Sequence, residues 1–452
     1  MSLFGAMNSA ISGLSAQSSA FGNISDNVAN SQTVGFKRVD TNFVDYLTTS
    51  TTARNDPGAV VARPDYVNTV QGAITQTETP LNVAIAGQGF FPVSQPTGQV
   101  GSKSIFNPQP FYTRAGDFSL NAQGYLVNGS GLYLNGWSPD PVTGIINQNA
   151  QAPIQVTQTS LNPVATTTVN LSANLPATPA PNTATQAAPI ASDITVYDAL
   201  GTAQTVTLGW YLTNPGPPPL SDDWTVTVSS LTSVNNPLPN GVIGTADVKF
   251  GSVVPGGHPV PAGTLSEMGS VTGNVSTLGY SPGGAAFLDL TMDFGSGSQN
   301  IRLNVGTFGG SAGVTQYAGT TYNLQGLDQN GVPPGSYAGV STQPNGNVVV
   351  NYNNGQTRTI AQVPLVVFNN PDALQRQNGQ SFTATIASGS ALAQQVNVNG
   401  AGSIVTSSVE KSNVDIAAEF SKLIVAQQAY SANTKVVTTA NDMLTATIDM
   451  KR

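Results

Sequence analysis

The sequence predicts an α+β fold in which paired, coiled-coil-like terminal helices flank an inserted, mainly antiparallel β body of two or more domains. Apolar residues near both ends recur at alternating steps of three and four, which is the spacing of a helix seam. The long middle instead alternates apolar and polar residues between turns rich in glycine and proline. A chain of 452 residues is long enough for two or three separate cores.

The N-terminal segment is predicted to be a helix that ends at Asn30 or Gly35. Its seam comprises Leu3, Met7, Ala10, Leu14, Phe21, Ile24 and Val28, with Gln17 as the one polar interruption. Glycines lower helix stability by about 1 kcal/mol each relative to alanine, and this helix contains Gly5, Gly13 and Gly22. It therefore needs a partner, and the pattern leaves open whether that partner is the C-terminal helix alone or also a neighbouring copy.

The C-terminal segment is predicted to be the second helix, with Ser412 and Asp415 forming a capping box at its start. Its seam comprises Ile416, Phe420, Leu423, Gln427, Tyr430, Thr434, Val437, Asn441, Leu444 and Ile448. The three polar members share one heptad position, which suits a role in setting the register of packed helices. Because both ends of the chain carry an apolar stripe, we expect the two helices to meet in space.

Between the helices, apolar residues follow the two-residue period of strands. The segments that show it are 81–85, 206–212, 224–228, 287–290 and 301–305. A further strand, Val348–Tyr352, runs into Asn353-Asn354-Gly355, which is a hairpin signal. The stretch 176–189 is rich in Pro, Ala and Thr, and it predicts an exposed loop.

The composition excludes several classes of function. Charged residues make up 8% of the chain, against a usual share of about 25%, and such a neutral, polar surface suits packing against copies of itself. The net charge of -8 argues against a nucleic-acid partner. The absence of cysteine excludes disulfides and thiolate sites. No Lys or Arg precedes Lys37, so neither a secretory signal peptide nor membrane insertion is expected.

Candidate chemical groups are few, and each has a simpler explanation. His258, the single histidine, lies in a stretch of glycine and proline that is typical of a solvated loop. The segment 309–313 has the spacing of a nucleophile elbow, but no helical pattern follows Ser311. Asp222 and Asp223 supply too few ligands for a Ca²⁺ site. We therefore predict no catalytic, cofactor-binding or metal-binding residues, and a protein that is not an enzyme.

Two residue pairs invite a structural and a functional interpretation. Phe90 and Phe91 are predicted to lie in the core of the first β domain rather than on a binding surface. Lys37 and Arg38 follow the first helix directly, and they are predicted to be either a solvated pair or a pair that contacts another subunit.

Motifs at both ends and in the first third of the chain resemble those of the flagellar rod and hook axial proteins. The N-terminal ones are Asp26-Asn27-Val28-Ala29-Asn30 and Thr33-Val34-Gly35-Phe36-Lys37-Arg38. Those that follow are Ala84–Val93 (with Gly87, Gly89, Phe90 and Phe91), Tyr112–Phe118, Gly124–Val127, and Ser412–Asp415 with residues up to Leu444. Together these motifs are specific, although each alone would be weak.

The resemblance implies a structural subunit of the bacterial flagellar hook. The run Thr195–Gly201 is similar to a hook-specific motif, and rod proteins are much shorter in the middle. Many copies would form a curved, helical tube that acts as a universal joint and passes motor torque to the filament. A distal rod protein and a secreted β-rich surface protein are the alternatives.

The same resemblance implies a division of the chain. Residues 1–32 with 412–452 would form an inner helical assembly domain, 33–74 with 401–411 a connecting segment, 75–146 with 315–400 a first β domain, and 147–314 an outer β domain. The implied partners are further copies of the chain, the rod and hook-filament junction proteins, the hook cap protein and the flagellar type III export apparatus. The implied location is extracellular, in the hook, and no cofactor is implied.

Overall fold

The computed structural model describes residues 3–50, 55–101, 103–140, 144–179, 183–213, 223–251 and 260–450. Its chain divides into two compact units. The first comprises Met1–Gln158, Ala338–Asn351 and Gly355–Arg452, and the second comprises Thr159–Tyr337 and Tyr352–Asn354. Long helices at the two ends and a mainly antiparallel β body between them confirm the predicted fold class.

The first unit begins with helix α1 (Leu3–Ala29), followed by a long antiparallel hairpin of β1 (Val39–Ser50) and β2 (Asn55–Tyr66). The hairpin packs along α1 and is joined to it by polar contacts. Ser9 Oγ donates to the Gly58 carbonyl (3.2 Å), and Asn23 Nδ2 donates to Thr41 Oγ1 (2.9 Å). The sequence predicted only a connecting segment here, so the hairpin is a feature that the pattern did not reveal.

Ten further strands of the described chain follow in the first unit before the chain leaves it. They are β3 (Ile74–Gln76), β4 (Val83–Ala86), β5 (Phe91–Ser94), β6 (Pro96–Val100), β7 (Lys103–Phe106), β8 (Phe111–Thr113), β9 (Ser119–Leu120), β10 (Leu126–Val127), β11 (Tyr133–Pro139) and β12 (Ile146–Pro153). Phe90 and Phe91 are 2% and 0% exposed, which confirms their predicted place in a core.

The second unit contains two sheets around one apolar core. Its strands are β13 (Thr168–Asn174), β14 (Ile190–Tyr197), β15 (Ala203–Leu212), β16 (Asp223–Ser229), β17 (Val242–Phe250), β18 (Leu265–Gly273), β19 (Val275–Thr277), β20 (Ala285–Asp293), β21 (Ser298–Thr307), β22 (Val314–Thr315) and β23 (Asn323–Gln329). Strands β14 to β18 form an antiparallel meander, and the other sheet has the order β19-β20-β21-β13-β22, with β23 also paired to β13. The strands predicted by alternation are present because one side of each sheet is buried.

The chain then returns to the first unit. Its last strands are β24 (Tyr337–Thr342), β25 (Asn347–Tyr352), β26 (Thr357–Gln362), β27 (Leu365–Val367), β28 (Gln375–Gln377), β29 (Ser381–Thr383), β30 (Leu392–Gln394), β31 (Ser403–Thr406) and β32 (Ser408–Glu410), followed by helix α2 (Ile416–Asp449). The largest sheet of the unit has the order β24-β25-β26-β11-β5-β8-β29-β28. Strand β32 pairs with β3, so the segment before α2 is held against the segment after the hairpin.

The second unit extends beyond the predicted outer domain of residues 147–314. Strands β22 and β23 both pair with β13, and this pairing assigns residues up to Tyr337 to the second unit. No helix among the described residues is long and apolar enough to cross a membrane.

Candidate functional site: the terminal helix pair and its anchor

Helices α1 and α2 pack against each other through small and polar residues. The buried residues of α1 are Ala10, Ala16, Ala20, Ile24 and Asn27. On α2 the buried residues are Glu419, Ala426 and Ala440. The aromatic rings of Phe21 and Tyr430 also meet across the pair, lying edge to face with centroids 6.3 Å apart. The pair is therefore close-packed along a narrow seam.

The structure brings part of the predicted seam together. On α1, Ala10 and Ile24 are buried; Met7, Leu14, Phe21 and Val28 are half-buried, and the side chain of Leu3 lies outside the described part of the chain. On α2, Leu423, Val437 and Leu444 are half-buried.

The remaining predicted members of the α2 seam are exposed, namely Ile416, Phe420, Gln427, Tyr430, Thr434, Asn441 and Ile448. The intramolecular seam of α2 instead uses two heptad positions. One holds Leu423, Val437 and Leu444, and the other holds Glu419, Ala426, Asn433 and Ala440. The second of these positions was not predicted, because its residues are small or polar and a pattern of large apolar residues does not reveal it.

Gly13 marks the closest approach of the two helices. A Cβ atom on Gly13 would lie 2.9 Å from Nδ2 of Asn433, whereas one on Gly22 would meet nothing within 4 Å. Gly13 therefore makes room for the partner helix, in addition to weakening its own helix.

The start of α2 differs from the predicted capping box. Asp415 is the N-cap, and its Oδ1 accepts hydrogen bonds from the backbone N–H groups of Ala417 (2.9 Å) and Ala418 (3.2 Å). Ser412 lies outside the helix, where its Oγ accepts from the N–H of Val414 (3.3 Å). The helix thus begins one turn later than a cap at Ser412 would place it.

Asn27 joins α1 to both the hairpin and α2. Its side chain is fully buried. Nδ2 donates to the Val39 carbonyl (2.9 Å) and to Glu419 Oε2 (3.1 Å), while Oδ1 accepts from the Val39 N–H (2.9 Å). Asn30, from the same motif, ends the helix by donating to the Asp26 carbonyl (2.9 Å), and Ala29 is exposed at that end.

Glu419 is also part of a small ion network at the base of the helix pair. Lys422 Nζ lies 2.6 Å from Asp40 Oδ1 and 2.7 Å from Glu419 Oε1. Partial burial lowers the pKa of Lys422, but the hydrogen bonds to the two carboxylates outweigh it, so its pKa is raised above the ordinary value. Lys422 therefore stays charged and ties α2 to β1.

The strongest electrostatic feature is a buried cluster of Lys37, Arg114 and Glu410, which we call the anchor. Lys37 Nζ lies 2.6 Å from Glu410 Oε1, and Arg114 Nη1 lies 3.2 Å from Glu410 Oε2; all three side chains are at most 3% exposed. Lys37 also donates to the Val70 carbonyl (2.7 Å), and Arg114 donates to the Gly87 carbonyl (2.8 Å). The anchor thus connects the ends of both helical segments to the β structure of the first unit.

Burial dominates the ionisation of the anchor's cations. Desolvation lowers the pKa of Lys37, and the nearby Arg114 lowers it further, while Glu410 raises it. Desolvation likewise lowers the pKa of Arg114, against the opposing effect of Glu410. Both predicted interpretations of Lys37 are therefore wrong, since its charge is neither solvated nor available to another subunit. Arg38 is about one-third exposed and pairs with Asp40 (3.2 Å).

Other motif residues shape the surroundings of the anchor. Gly35 has a φ of 69°, and a Cβ there would lie 2.4 Å from the Ala115 nitrogen, so only glycine fits. Phe36 is buried beneath the guanidinium of Arg376, which lies 4.7 Å from the ring centroid. Gly87 and Gly89 have φ angles of 100° and 127°.

A groove of about 530 Å³ opens between α1, α2 and β1. Its lining includes the apolar side chains of Ala20, Ile24, Phe43, Val425 and Ala426, and the ion network of Lys422 lies along it. Further large apolar side chains on the two helices are at least 49% exposed, namely Phe4, Ile11, Phe420, Ile424, Val425, Met443 and Ile448. A helix pair with this much open apolar surface is typical of an element that packs against another chain.

The candidate chemical groups of the sequence can be compared with the described residues. They hold no group of three or more His, Cys, Asp or Glu side chains that could bind a metal ion. The segment 309–313 joins β21 directly to β22, with no helix after Ser311. His258 and Asp222 lie outside the described residues.

Comparisons with known proteins assign family resemblance to most of the chain. Four family models match: Flagella basal body rod protein (residues 7–37), Flagellar hook protein FlgE/F/G D1 domain (84–173), Flagellar basal body protein FlaE D2 domain (164–332) and Flagellar basal body rod FlgEFG protein C-terminal (405–450). The chain is 30% identical to the flagellar hook protein FlgE of Brucella abortus over 458 positions, covering 100% of both chains. Identity to FlgE of Salmonella typhimurium is 28%, covering 98% of this chain and 99% of the relative.

Among solved structures, the Helicobacter pylori flagellar hook protein FlgE2 matches with a TM-score of 0.48 and 14% identity. This match covers 73% of the present chain and 98% of that one.

Proposed function

Because this chain belongs to the family of flagellar hook proteins FlgE, we propose that it is the structural subunit of a bacterial flagellar hook. The observation that carries the proposal is the end-to-end match to hook proteins, which includes the second unit as well as both terminal helices. A distal rod protein is not favoured, because a relative of full length and the same domain order carries the hook name.

We propose further that many copies assemble into a helical, curved tube through the terminal helices. The helix pair supports this because several of its large apolar residues are exposed in the single chain, as Phe420 (51% exposed) and Ile11 (49% exposed) illustrate. The two residues lie on different helices, so a contact between them would join unlike surfaces of successive copies. Contacts of that kind continue indefinitely unless the rotation closes them, and they generate rings or helical polymers.

In this proposal the predicted seam residues divide into two groups with different roles. Leu423, Val437 and Leu444 hold the two helices of one chain together, and Phe420 and Ile448 contact neighbouring copies. The polar members, Gln427, Thr434 and Asn441, are exposed at the same heptad position as Phe420 and Ile448, and they would set the register between copies as polar seam residues do in coiled coils.

The proposed division of labour places tube formation in the terminal helices and bending in the second unit. Residues 75–146 with 315–400 would form the shell around the helices, and the region near 147–314 would form outer contacts that modulate curvature. In the complete flagellum the hook would join the rod to the hook-filament junction proteins and pass torque between them. Export through the flagellar type III apparatus, growth under the hook cap protein and an extracellular location complete this proposal, in which the protein has no enzymatic role.

The test is whether Phe420→Asp blocks polymerisation without unfolding the monomer. Phe420 is already half in water in the single chain, so the substitution changes little there, whereas in a polymer it would bury an unpaired carboxylate. Sedimentation and electron microscopy would measure the polymer, and thermal melting would measure the monomer. We expect tubes from the wild type, no sedimenting polymer from Phe420→Asp and similar melting temperatures.

A matched control is Leu231→Asp, which places the same charge on an 88% exposed leucine of the second unit. We expect it to permit tube formation. Normal tubes from Phe420→Asp would refute assembly through this helix face, and a wild-type protein that stays monomeric under all conditions would argue against a hook subunit.

A further inference from the structure

The anchor contains more positive than negative charge, which is unusual for a buried site. Lys37 and Arg114 are 1% and 3% exposed, and Glu410 is the one carboxylate within salt-bridge distance of them in the described chain. Arg114 Nε is buried there without a hydrogen-bond partner. Asp372 also raises the pKa of Lys37, but by less than Glu410 does. Because buried charges are tolerated only when they are paired, both cations depend chiefly on Glu410.

Glu410 also completes the backbone hydrogen bonds of the surrounding segments. Its carbonyl oxygen accepts from the Gly35 N–H (2.8 Å), and its Oε1 accepts from the Gly72 N–H (2.9 Å). Segments on four parts of the chain, around residues 35–37, 72, 114 and 410, therefore meet at this single residue.

The two cations of the anchor come earlier in the chain than the carboxylate on which they depend. Lys37 and Glu410 are 373 positions apart, so the segment around Lys37 exists long before Glu410 when the chain is made. Without Glu410, docking of that segment would place two cations side by side in a buried site, and the mutual repulsion of Lys37 and Arg114 opposes this.

We propose that the anchor is an interlock: the segment after α1 cannot dock on the β structure until the C-terminal strand delivers Glu410. Helix α1 docks after this segment, because Asn27 forms hydrogen bonds with both β1 and Glu419 of α2. Both chain ends therefore dock together or not at all, and a partial chain does not display a finished helix pair. This inference concerns the folding of a single chain and stands independently of the hook function.

The experiment is hydrogen exchange by mass spectrometry on the full chain, with Glu410→Gln, Lys37→Met and the double variant. Glu410→Gln keeps the size of the side chain but leaves two buried cations without an anion. We expect exchange in residues 33–40 to become about tenfold faster or more, although these residues lie far from 410 in sequence. Lys37→Met leaves the neutral Arg114–Glu410 pair, and we expect little change.

The double variant decides between an interlock and a local role. With Lys37 removed, only one cation remains buried, so Lys37→Met/Glu410→Gln is expected to recover much of the protection that Glu410→Gln loses, or to restore folding if Glu410→Gln alone does not fold. Glu267→Gln, which breaks the part-exposed Lys249–Glu267 pair of the second unit, serves as the control and should leave 33–40 unchanged.

Two outcomes would overturn the interlock. One is normal exchange at residues 33–40 in Glu410→Gln, which would show that Glu410 supports only its own strand pair. The other is a double variant that is no better protected than Glu410→Gln, which would show that charge imbalance is not the cause. Neither measurement requires a polymer, so failure of the interlock and failure of the hook proposal are distinguishable.

Discussion

The core of the second unit and the seam of the terminal helix pair differ in which side chains they bury. In the second unit, Trp210 and Trp224 are fully buried between two sheets of large apolar side chains. In the helix pair, the buried positions of α2 are Glu419, Ala426 and Ala440, while Phe420 and Ile424 are more than half exposed. The second unit buries its own large apolar groups, whereas the helix pair leaves several of its large apolar groups exposed in the single chain.

The largest expected effect is on the self-contained core. Trp224→Ala should lower the free energy of unfolding of the second unit by about 3–5 kcal/mol, because it removes a fully buried ring and leaves a cavity. Denaturant unfolding would measure the loss, and Leu231→Ala, at an exposed site, should change it by less than about 0.5 kcal/mol. If Trp224→Ala also accelerated hydrogen exchange in the terminal helices, the two regions would not be energetically separate.

A smaller effect is expected at the helix seam, where small residues are required. Ala440→Leu should destabilise the helix pair by about 1–3 kcal/mol, because Ala440 is 4% exposed and a larger side chain there would have to displace its neighbours. Hydrogen exchange of α2 in the monomer would report it. The control is Gln428→Leu on an exposed position of the same helix. Equal protection in both variants would show that the seam is loosely packed.

Two glycines of α1 separate helix propensity from helix packing. Gly22→Ala should stabilise α1 by up to about 1 kcal/mol, since alanine is the better helix former and its Cβ meets no atom within 4 Å. Gly13→Ala gains the same propensity but brings its Cβ to 2.9 Å from Asn433, so the net change should be smaller or destabilising. Helix content by circular dichroism and exchange rates would compare them, and an equal gain in both would contradict the close approach at Gly13.

The smallest expected effect concerns pH. Desolvation lowers the pKa of Lys37 in the folded chain below its ordinary value of 10.5. Between the folded and unfolded pKa values the unfolded chain binds more protons, so this residue makes stability rise with pH in that alkaline window. The wild type should therefore gain stability relative to Lys37→Met as pH increases towards 10.5, as measured by denaturant unfolding. A parallel pH dependence of the two proteins would contradict a desolvated, charged lysine.

The sequence predicted the second unit better than the helix pair, for a physical reason. In a strand with one buried face, apolar and polar residues alternate, so the pattern of segments such as 206–212 and 224–228 predicts strands directly. A helix seam built from alanine, asparagine and glutamate has no such signal. The sequence therefore predicted that the position of Phe420 faces α1, whereas the neighbouring position of Glu419 does so in the structure. The β1–β2 hairpin was not predicted because its strands do not alternate strictly: Phe43 and Val44 are adjacent in β1, and Val60 and Val61 are adjacent in β2.

The anchor could not be predicted because a single sequence does not show which distant charges pair. One signal was available. In a chain with 8% charged residues, Arg114 and Lys37 stand in aromatic surroundings, beside Phe36 and Tyr112, where a solvated charge would be out of place. Charged residues that adjoin aromatic residues in this way are candidates for buried pairs.

The contact between Lys37 and Glu410 closes the intervening chain into a loop of 373 positions. The conformational entropy lost on closing a loop grows only with the logarithm of its length, by about 0.6 kcal/mol for each doubling. A chain whose ends are joined by the anchor can therefore have a longer or shorter β body with little change in the free energy of association of its two ends.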